Sequence, residues 1–528
     1  MDVPQSSREG AIAGAMNGAE SLVHTLLASG VDTCFANPGT SEMHFVAALD
    51  RIPGMRCVLG LFEGVVTGAA DGYARIAGKP AATLLHCGPG LANGLANLHN
   101  GRRAHTMMVN CVGDQATYHR PLDAPLTADT EGFARAVSGW VRTAARAETV
   151  GADAAQAVQA ARTAPGQIAT LILPSDTCWD AGGAVGAPLA VPARPLAQTK
   201  DIAEVARLLR SGEKAMLLLG GDAMLAGPLA DAHRIAAATG ARLMAQGSNA
   251  RVERGRGRHA IDRVPYVVDQ ARKVLGGIKH LVLVGAGKPT AFFAYPGKPG
   301  LLFPPEAAVH VLARPEHDIA QVLAALADEL GAPELPAPRG EGRAEAARGA
   351  VTSEALAQSL TALLPEHAIV VDESVSFGRG LFSGTEAAAP HDWVQLTGGA
   401  IGDGLPLATG CAVGGPGRRV VGLQADGSAM YTVQALWTQA RERLDVTTIL
   451  LSNRKYAILL HELSNVGANP GRTALDMMDL GNPDLDWIAI AGGMGVPAAR
   501  AETMDEFNDL FTASLRRSGP FLIELMVG

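Results

Sequence analysis

The sequence predicts an α/β fold built from three doubly wound parallel-sheet domains. Two observations carry this. Short apolar runs rich in Val, Ile and Leu alternate with helical stretches along the whole chain of 528 residues, as buried parallel strands joined by crossover helices do. Two stretches rich in Pro, Gly and Ala, 180–201 and 331–350, lack periodicity and divide the chain into thirds of similar size. A chain of this length also exceeds what one core accommodates.

In the first third, the amphipathic helix AESLVHTLLASG precedes strands at DTCFA, AATLLH, TMMVNCVG and QIATLIL. The middle third repeats the alternation with KAMLLLGG, ARLMAQG, HLVLVGAG and AAVHVLA. The last third has HAIVVDES, RRVVGLQA, VTTILLS and FLIELMV. The expected organisation is a disordered arm over 1–15 and domains over 16–180, 200–332 and 350–528.

The composition is 48% hydrophobic, 4% aromatic and 18% charged, that of a globular protein in water. A net charge of −8 leaves no electrostatic footprint for nucleic acid. The start MDVPQSSREG lacks the apolar core of a signal peptide, and no apolar run reaches membrane-spanning length. A cytoplasmic protein without nucleic-acid or membrane partners is expected. The cysteines at 34, 57, 87, 111, 178 and 411 form no CxxC pair and read as buried, reduced thiols. His86–Cys87 alone is too sparse for a zinc site.

Asp426 and Asn453 carry the chemistry of the last third. Each ends an apolar run, and a helical stretch from about Tyr431 to Arg443 lies between them. Such a βαβ unit places both side chains at the carboxyl ends of neighbouring strands, the edge where open parallel sheets bind ligands. A carboxylate, an amide oxygen and backbone carbonyls suit a hard cation such as Mg²⁺, completed by phosphate oxygens. Gly427 and Ser428 open a helix whose free N–H groups suit that phosphate. The plain alternative for Asp426 is a helix N-cap. A second Gly-Asp-Gly, at Gly402–Gly404, has no Asn at the matching distance and is treated as a decoy.

Glu63 opens the segment EGVVTGAADGYARIAG, whose small residues suit a closely packed helix. A carboxylate at the start of such a helix stabilises its N-terminus or is functional. His86 closes strand AATLLH just before a Gly-rich loop, at the same kind of edge; a His satisfying loop carbonyls is its plain reading.

Asp-Gly-Ser with an Asn 27 positions after the Asp resembles the diphosphate-binding motif of thiamine-diphosphate (ThDP) enzymes, with Ala425 and Ser452 as minor departures. LFEGVVTGAADGYARIAG resembles the signature of their pyrimidine-binding domain. With NPGTSEMHF, LLHCGPGLANGLANL, DESVS and ADGSAMYTVQALW, the chain is identified as a member of the pyruvate oxidase/acetolactate synthase/benzoylformate decarboxylase group, most similar to benzoylformate decarboxylase.

That resemblance implies ThDP and Mg²⁺ as cofactors and a pyrimidine–middle–diphosphate domain order. It implies that Glu63 bonds the aminopyrimidine ring of the cofactor and that His86 relays protons. Asn37, Pro38, Gly39 and Thr40 form a loop facing the cofactor, with Thr40 where a substrate-binding Ser is usual. Val375, Ser376, Gly399, Ala400, Gly427, Ser428 and Tyr456 are cofactor contacts, and Ile401 props the bent cofactor. Asp426, Asn453 and the carbonyl of Lys455 form the metal site. The assembly implied is a homotetramer built from homodimers, with active sites between subunits.

The substrate pocket departs from the group. AFFAYPGKPG lacks the second catalytic His of benzoylformate decarboxylase, so Phe292, Phe293 or Tyr295 lines the site instead. Glu462 stands where an aromatic pocket residue is usual; Leu459 and His461 lie beside it. Asp403 replaces a bulky apolar residue, and its plain reading is a solvated turn residue. Gly220-Gly221 is no specific sign of a flavin. The reading is non-oxidative decarboxylation of a 2-oxo acid. The alternatives are an acetolactate synthase-like carboligase, hydrolytic diketone cleavage, and a ThDP-binding protein without catalysis.

Overall fold

The computed structural model describes residues 15–338 and 344–528. The arm expected over 1–15 therefore lies outside the described residues except for Ala15, as does 339–343 of the second linker.

Three α/β units follow one another, each centred on a parallel sheet. The first sheet has six strands in the spatial order Arg56–Leu59, Thr33–Ala36, Ala81–Leu85, Met108–Asp114, Ile168–Pro174 and Trp140–Thr143. The second has four: Ala308–Ala313, His280–Val284, Ala215–Leu219 and Arg242–Ala245. The third has seven: Ala498–Ala501, Phe521–Met526, Val446–Ser452, Val420–Ala425, Ile369–Glu373, His391–Gln395 and Val252–Arg254. The last of these comes from the middle of the chain and pairs antiparallel with His391–Gln395. Central strands such as Met108–Asp114, Ile168–Pro174 and Val446–Ser452 are buried at every position, so they read as unbroken apolar runs.

Five strands are not legible as apolar runs. Arg56–Leu59, Trp140–Thr143 and Ala498–Ala501 lie at sheet edges, where one side stays wet and the pattern is weak. His391–Gln395 is fully buried although polar. Trp393 there donates to Asp372 at 3.2 Å, and Asp392 pairs with Arg418 at 2.6 Å and Arg251 at 3.2 Å. Val252–Arg254 is only three residues long. The helix expected from about Tyr431 to Arg443 is shorter, Ala435–Arg441, and is preceded by a separate single turn, Asp426–Ala429.

Glycine docks the first unit onto the third. The helix Glu63–Ala77 crosses the helix Gly404–Gly414 at backbone contact. A Cβ on Gly410 would lie 1.8 Å from the carbonyl oxygen of Ala69, and one on Gly72 would lie 2.1 Å from that of Leu407. Only hydrogen fits at either position. The crossing is tied by Arg75, which is buried against Asp71 (Nε to Oδ1 2.8 Å) and donates to the carbonyl of Gln395 at 2.7 Å. A shared core runs across the junction and includes Phe35, Val66, Tyr73, Leu407, Val420 and Val446.

Candidate functional site

Every loop singled out in the first and third units leaves the carboxyl end of a strand. Asn37–Thr40 follows Thr33–Ala36, and His86 follows Ala81–Leu85. Val375–Ser376 follows Ile369–Glu373, Asp426 follows Val420–Ala425, and Asn453 follows Val446–Ser452. The topology thus brings both sets to the sheet edges where ligands bind.

His86 is held by a residue that sequence reasoning missed. Glu42 is 3% exposed, and its Oε2 lies 3.0 Å from Nδ1 of His86. The same oxygen accepts the backbone N–H of Gly39 at 2.8 Å. With a carboxylate at Nδ1, the imidazole carries its proton there, and Nε2 is left for the site. The ring also packs on Gly39, where a Cβ would fall 2.1 Å from Cγ; this is why the loop carries glycine at that point. Cys87 follows at φ +52°, with Sγ 3.1 Å from the hydroxyl of Ser41. Burial pushes its thiol up to about 11. Ligand atoms of Glu42, His86 and Cys87 lie within 4.8 Å of one another. The signal for Glu42 was its place in NPGTSEMHF, two residues beyond Thr40, which is itself exposed.

Glu63 is the first residue of its helix and 7% exposed. Its Oε2 accepts from Asn93 Nδ2 at 2.9 Å, and Gly90 leaves room for Oε1, which a Cβ there would approach to 2.8 Å. Among the described residues no donor reaches the other carboxylate oxygen.

Asp426 is 3% exposed and accepts one backbone N–H at each oxygen, from Gly427 at 2.8 Å and Arg454 at 2.7 Å. Burial pushes its carboxyl above the usual range, against these bonds. Asn453 Oδ1 accepts the N–H of Lys455 at 3.1 Å. Lone pairs remain on both side chains, and the donor set is all oxygen, which fits a hard divalent cation. Gly427 is covered by the ring of Tyr456, whose Cε1 would sit 2.5 Å from an added Cβ. The single turn Asp426–Ala429 has little macrodipole, so an anion there meets individual N–H groups and not the end of a long helix. An open cleft of about 490 Å³ lies beside it, floored by Asn453, Arg454 and Lys455.

The loop from Thr397 to Gly404 is pinned from both sides. Asn100, on the helix Cys87–Arg103, donates to the carbonyl of Ala400 at 2.8 Å and accepts its N–H at 3.1 Å. Asn97 reaches the carbonyl of Gly402 at 3.3 Å. Ile401 lies half-buried between these anchors. The decoy Gly-Asp-Gly is an anion nest that the protein fills itself: the buried Glu373 carboxylate accepts from the N–H groups of Gly402 (2.8 Å), Asp403 (3.3 Å) and Gly404 (2.8 Å).

Asp403 is a correction. It is not a solvated turn residue but fully buried, and neither carboxylate oxygen has a partner among the described residues. Burial, and then the nearby Asp71, hold its carboxyl well above the usual range. Val375 adopts φ +49°, a strained conformation for a β-branched residue that clusters at functional sites. Ser376 follows it as the cap of a short turn. Of the cysteines, five are buried, but Cys57 is exposed.

The central unit meets the third near the loop from Thr397 to Gly404. Phe292 packs its ring on Gly399 (φ +80°), where a Cβ would lie 2.5 Å from Cζ. Tyr266, missed from sequence, bonds Glu462 Oε1 at 3.2 Å. Tyr295 lies close to the same carboxylate. Leu459 and His461 share the helix Ala457–Asn465 with Glu462, and both are exposed.

Residues 16–135 match the thiamine pyrophosphate enzyme N-terminal TPP binding domain, and 381–525 match the C-terminal one. A Mycobacterium tuberculosis protein provisionally named an acetolactate synthase large subunit is 55% identical over 97% of this chain and 99% of its own length. Benzoylformate decarboxylase of Pseudomonas aeruginosa is 30% identical over 94% of this chain and 96% of its own. The ThDP-dependent 4-hydroxybenzoylformate decarboxylase of Rhodococcus jostii superposes with a TM-score of 0.79 at 25% identity, over 97% of this chain and 99% of that one. These matches cover the Glu63 and His86 loops and the Asp426 and Asn453 strand ends alike, and the chain belongs to the thiamine pyrophosphate enzyme family.

Proposed function

We propose that this protein is a ThDP- and Mg²⁺-dependent carbon–carbon lyase that decarboxylates a 2-oxo acid without oxidation. The observation that carries it is the Glu42–His86 pair, a proton relay built at the catalytic edge. The bound cofactor supplies a carbanion equivalent and an electron sink. Glu63, desolvated at the start of its helix, holds the aminopyrimidine end of the cofactor through a charge-assisted hydrogen bond. Asp426, Asn453 and the Lys455 carbonyl hold the metal, and Gly427 and Ser428 the diphosphate. Val375, Ser376, Gly399, Ala400, Ile401 and Tyr456 shape the cofactor's bed, which fixes its reacting atom against the substrate. Asn37, Pro38, Gly39 and Thr40 close the substrate side, Thr40 donating to the carboxylate that departs.

His86 delivers the proton that ends the reaction. Nδ1–H stays with Glu42, while Nε2 takes up a proton from solvent and gives it to the product-forming carbon. The buried carboxylate stabilises the charged ring in between, and such positioned acid–base groups contribute about 10²–10⁴-fold. The second reading is a carboligase, which passes the same carbon to another carbonyl. The similarity to a protein named as an acetolactate synthase favours it, as does the absence of a His in AFFAYPGKPG.

Product analysis separates the two. Purified protein with ThDP and Mg²⁺ is offered a panel of 2-oxo acids, with and without an aldehyde acceptor, beside Glu63→Gln. Aldehyde and carbon dioxide without acceptor, absent in the variant, are the expected result. Hydroxyketone as the main product would move the chain to the carboligases. No turnover of any acid would overturn both readings.

A further inference from the structure

The wall that meets the cofactor loop from the central unit is aromatic but not apolar. Phe292 abuts Gly399, and the Tyr266 ring lies 5.5 Å from that of Phe292 between centroids. The Tyr266 hydroxyl donates to Glu462 Oε1 at 3.2 Å, and Asn465 reaches the same oxygen at 3.4 Å. Tyr295 lies in the same group, close enough to Tyr266 and Glu462 for both to act on its hydroxyl, which burial pushes above its ordinary range. Arg379, on the turn after Ser376, places its guanidinium carbon 4.8 Å from the centroid of the Tyr266 ring. Three chain segments distant in sequence converge here on a half-buried carboxylate, whose two oxygens carry more lone pairs than the donors named here use. An orienting shell of this kind is more than a surface ion pair requires.

We infer that Glu462, with Tyr266 and Tyr295, forms a subsite that reads the far end of the 2-oxo acid and takes a neutral hydroxyl group there. The inference rests on the 2-oxo acid reading above. A carboxylate only accepts hydrogen bonds, so a group facing it must donate. A substrate ammonium would meet the Arg379 charge. A second carboxylate would meet Glu462, which together with burial already raises the Tyr266 hydroxyl above its ordinary range. A hydroxyl avoids both charges: it donates to Glu462 and brings no charge of its own. The aromatic rings give its hydrocarbon part a flat bed. A substrate lacking the hydroxyl leaves the carboxylate covered and without that donor, which a site built to bond a hydroxyl rejects.

The test uses matched pairs that differ by one hydroxyl: 4-hydroxybenzoylformate with benzoylformate, and hydroxypyruvate with pyruvate. kcat/KM is measured on the holoenzyme, and affinity by calorimetry on the Glu63→Gln holoenzyme, where binding is read without turnover. A preference of about tenfold or more for the hydroxylated member of one pair is expected in both readouts. Glu462→Leu should abolish it by weakening the hydroxylated member alone, with C2-proton exchange of the bound cofactor unchanged. Tyr266→Phe, a milder change, should reduce it in the same direction. Equal handling of both members of each pair would overturn the inference, and so would equal losses for both in Glu462→Leu and Tyr266→Phe. Preference in binding without turnover of any acid would keep the subsite and overturn the decarboxylase reading. Turnover without preference would do the reverse.

Discussion

Asp403 shows how far a single side chain departs from its appearance in the sequence. It sits among Asp71, Glu373 and Arg75, fully buried, and its carboxylate oxygens have no hydrogen-bond partner among the described residues. Its carboxyl keeps a proton in the folded state over a pH range in which the unfolded chain has lost it. Stability from this group is therefore greatest below the ordinary carboxylate range and falls as pH rises through the folded value. Asp403→Asn, always neutral, lacks that slope. Denaturation midpoints across pH should show the variant matching the parent in acid and gaining on it as pH rises; parallel profiles would refute the assignment. Glu42 makes a different claim. On the proposed function it is a positioning residue, acting through His86. Glu42→Gln should lower kcat about 10–100-fold while cofactor affinity holds, a split that a merely structural role would not produce.

At the scale of elements, the crossing of Glu63–Ala77 over Gly404–Gly414 sets the geometry between the two cofactor-binding units. Gly410→Ala drives a methyl into the carbonyl of Ala69, a backbone atom that cannot swing away. Overpacking of this kind costs about 1–3 kcal/mol or more, and urea denaturation should report it as a lowered midpoint. Gly78, in left-handed conformation with open space around it, provides the control: Gly78→Asn should change stability by less than about 1 kcal/mol. The strands follow the same logic in reverse. Buried central strands announce themselves by composition, whereas His391–Gln395 is kept inside by ion pairs with Arg251 and Arg418 that no local pattern encodes.

For the whole molecule, the oxygen-only donor set at Asp426 and Asn453 predicts that chelation abolishes activity and that Mg²⁺ restores it. Asn453→Ala should raise the Mg²⁺ needed for half-maximal activity by about 10–100-fold, read from titration of the metal-free enzyme. Leu61, Met430, Tyr431 and Leu459 are exposed apolar side chains of the isolated chain, in keeping with a site completed by a second copy. Sedimentation of the holoenzyme should give a dimer or a tetramer, and full activity in a monomer would defeat that assembly.

The sequence by itself determined the fold class, the buried central strands and membership of the thiamine pyrophosphate enzyme family, because Glu63, His86, Asp426 and Asn453 sit at the ends of apolar runs or in segments whose spacing is local. Tertiary structure alone decided the partners. Glu42 meets His86 only because two parallel strands lie side by side, Tyr266 meets Glu462 across 196 positions of sequence, and Asp403 meets Asp71 and Arg75 only where the helix Glu63–Ala77 crosses Gly404–Gly414. Local pattern records what a residue does to its own strand or helix. It holds no record of which distant group will neutralise, orient or desolvate that residue, since those effects depend on distances that exist only once the sheets have stacked.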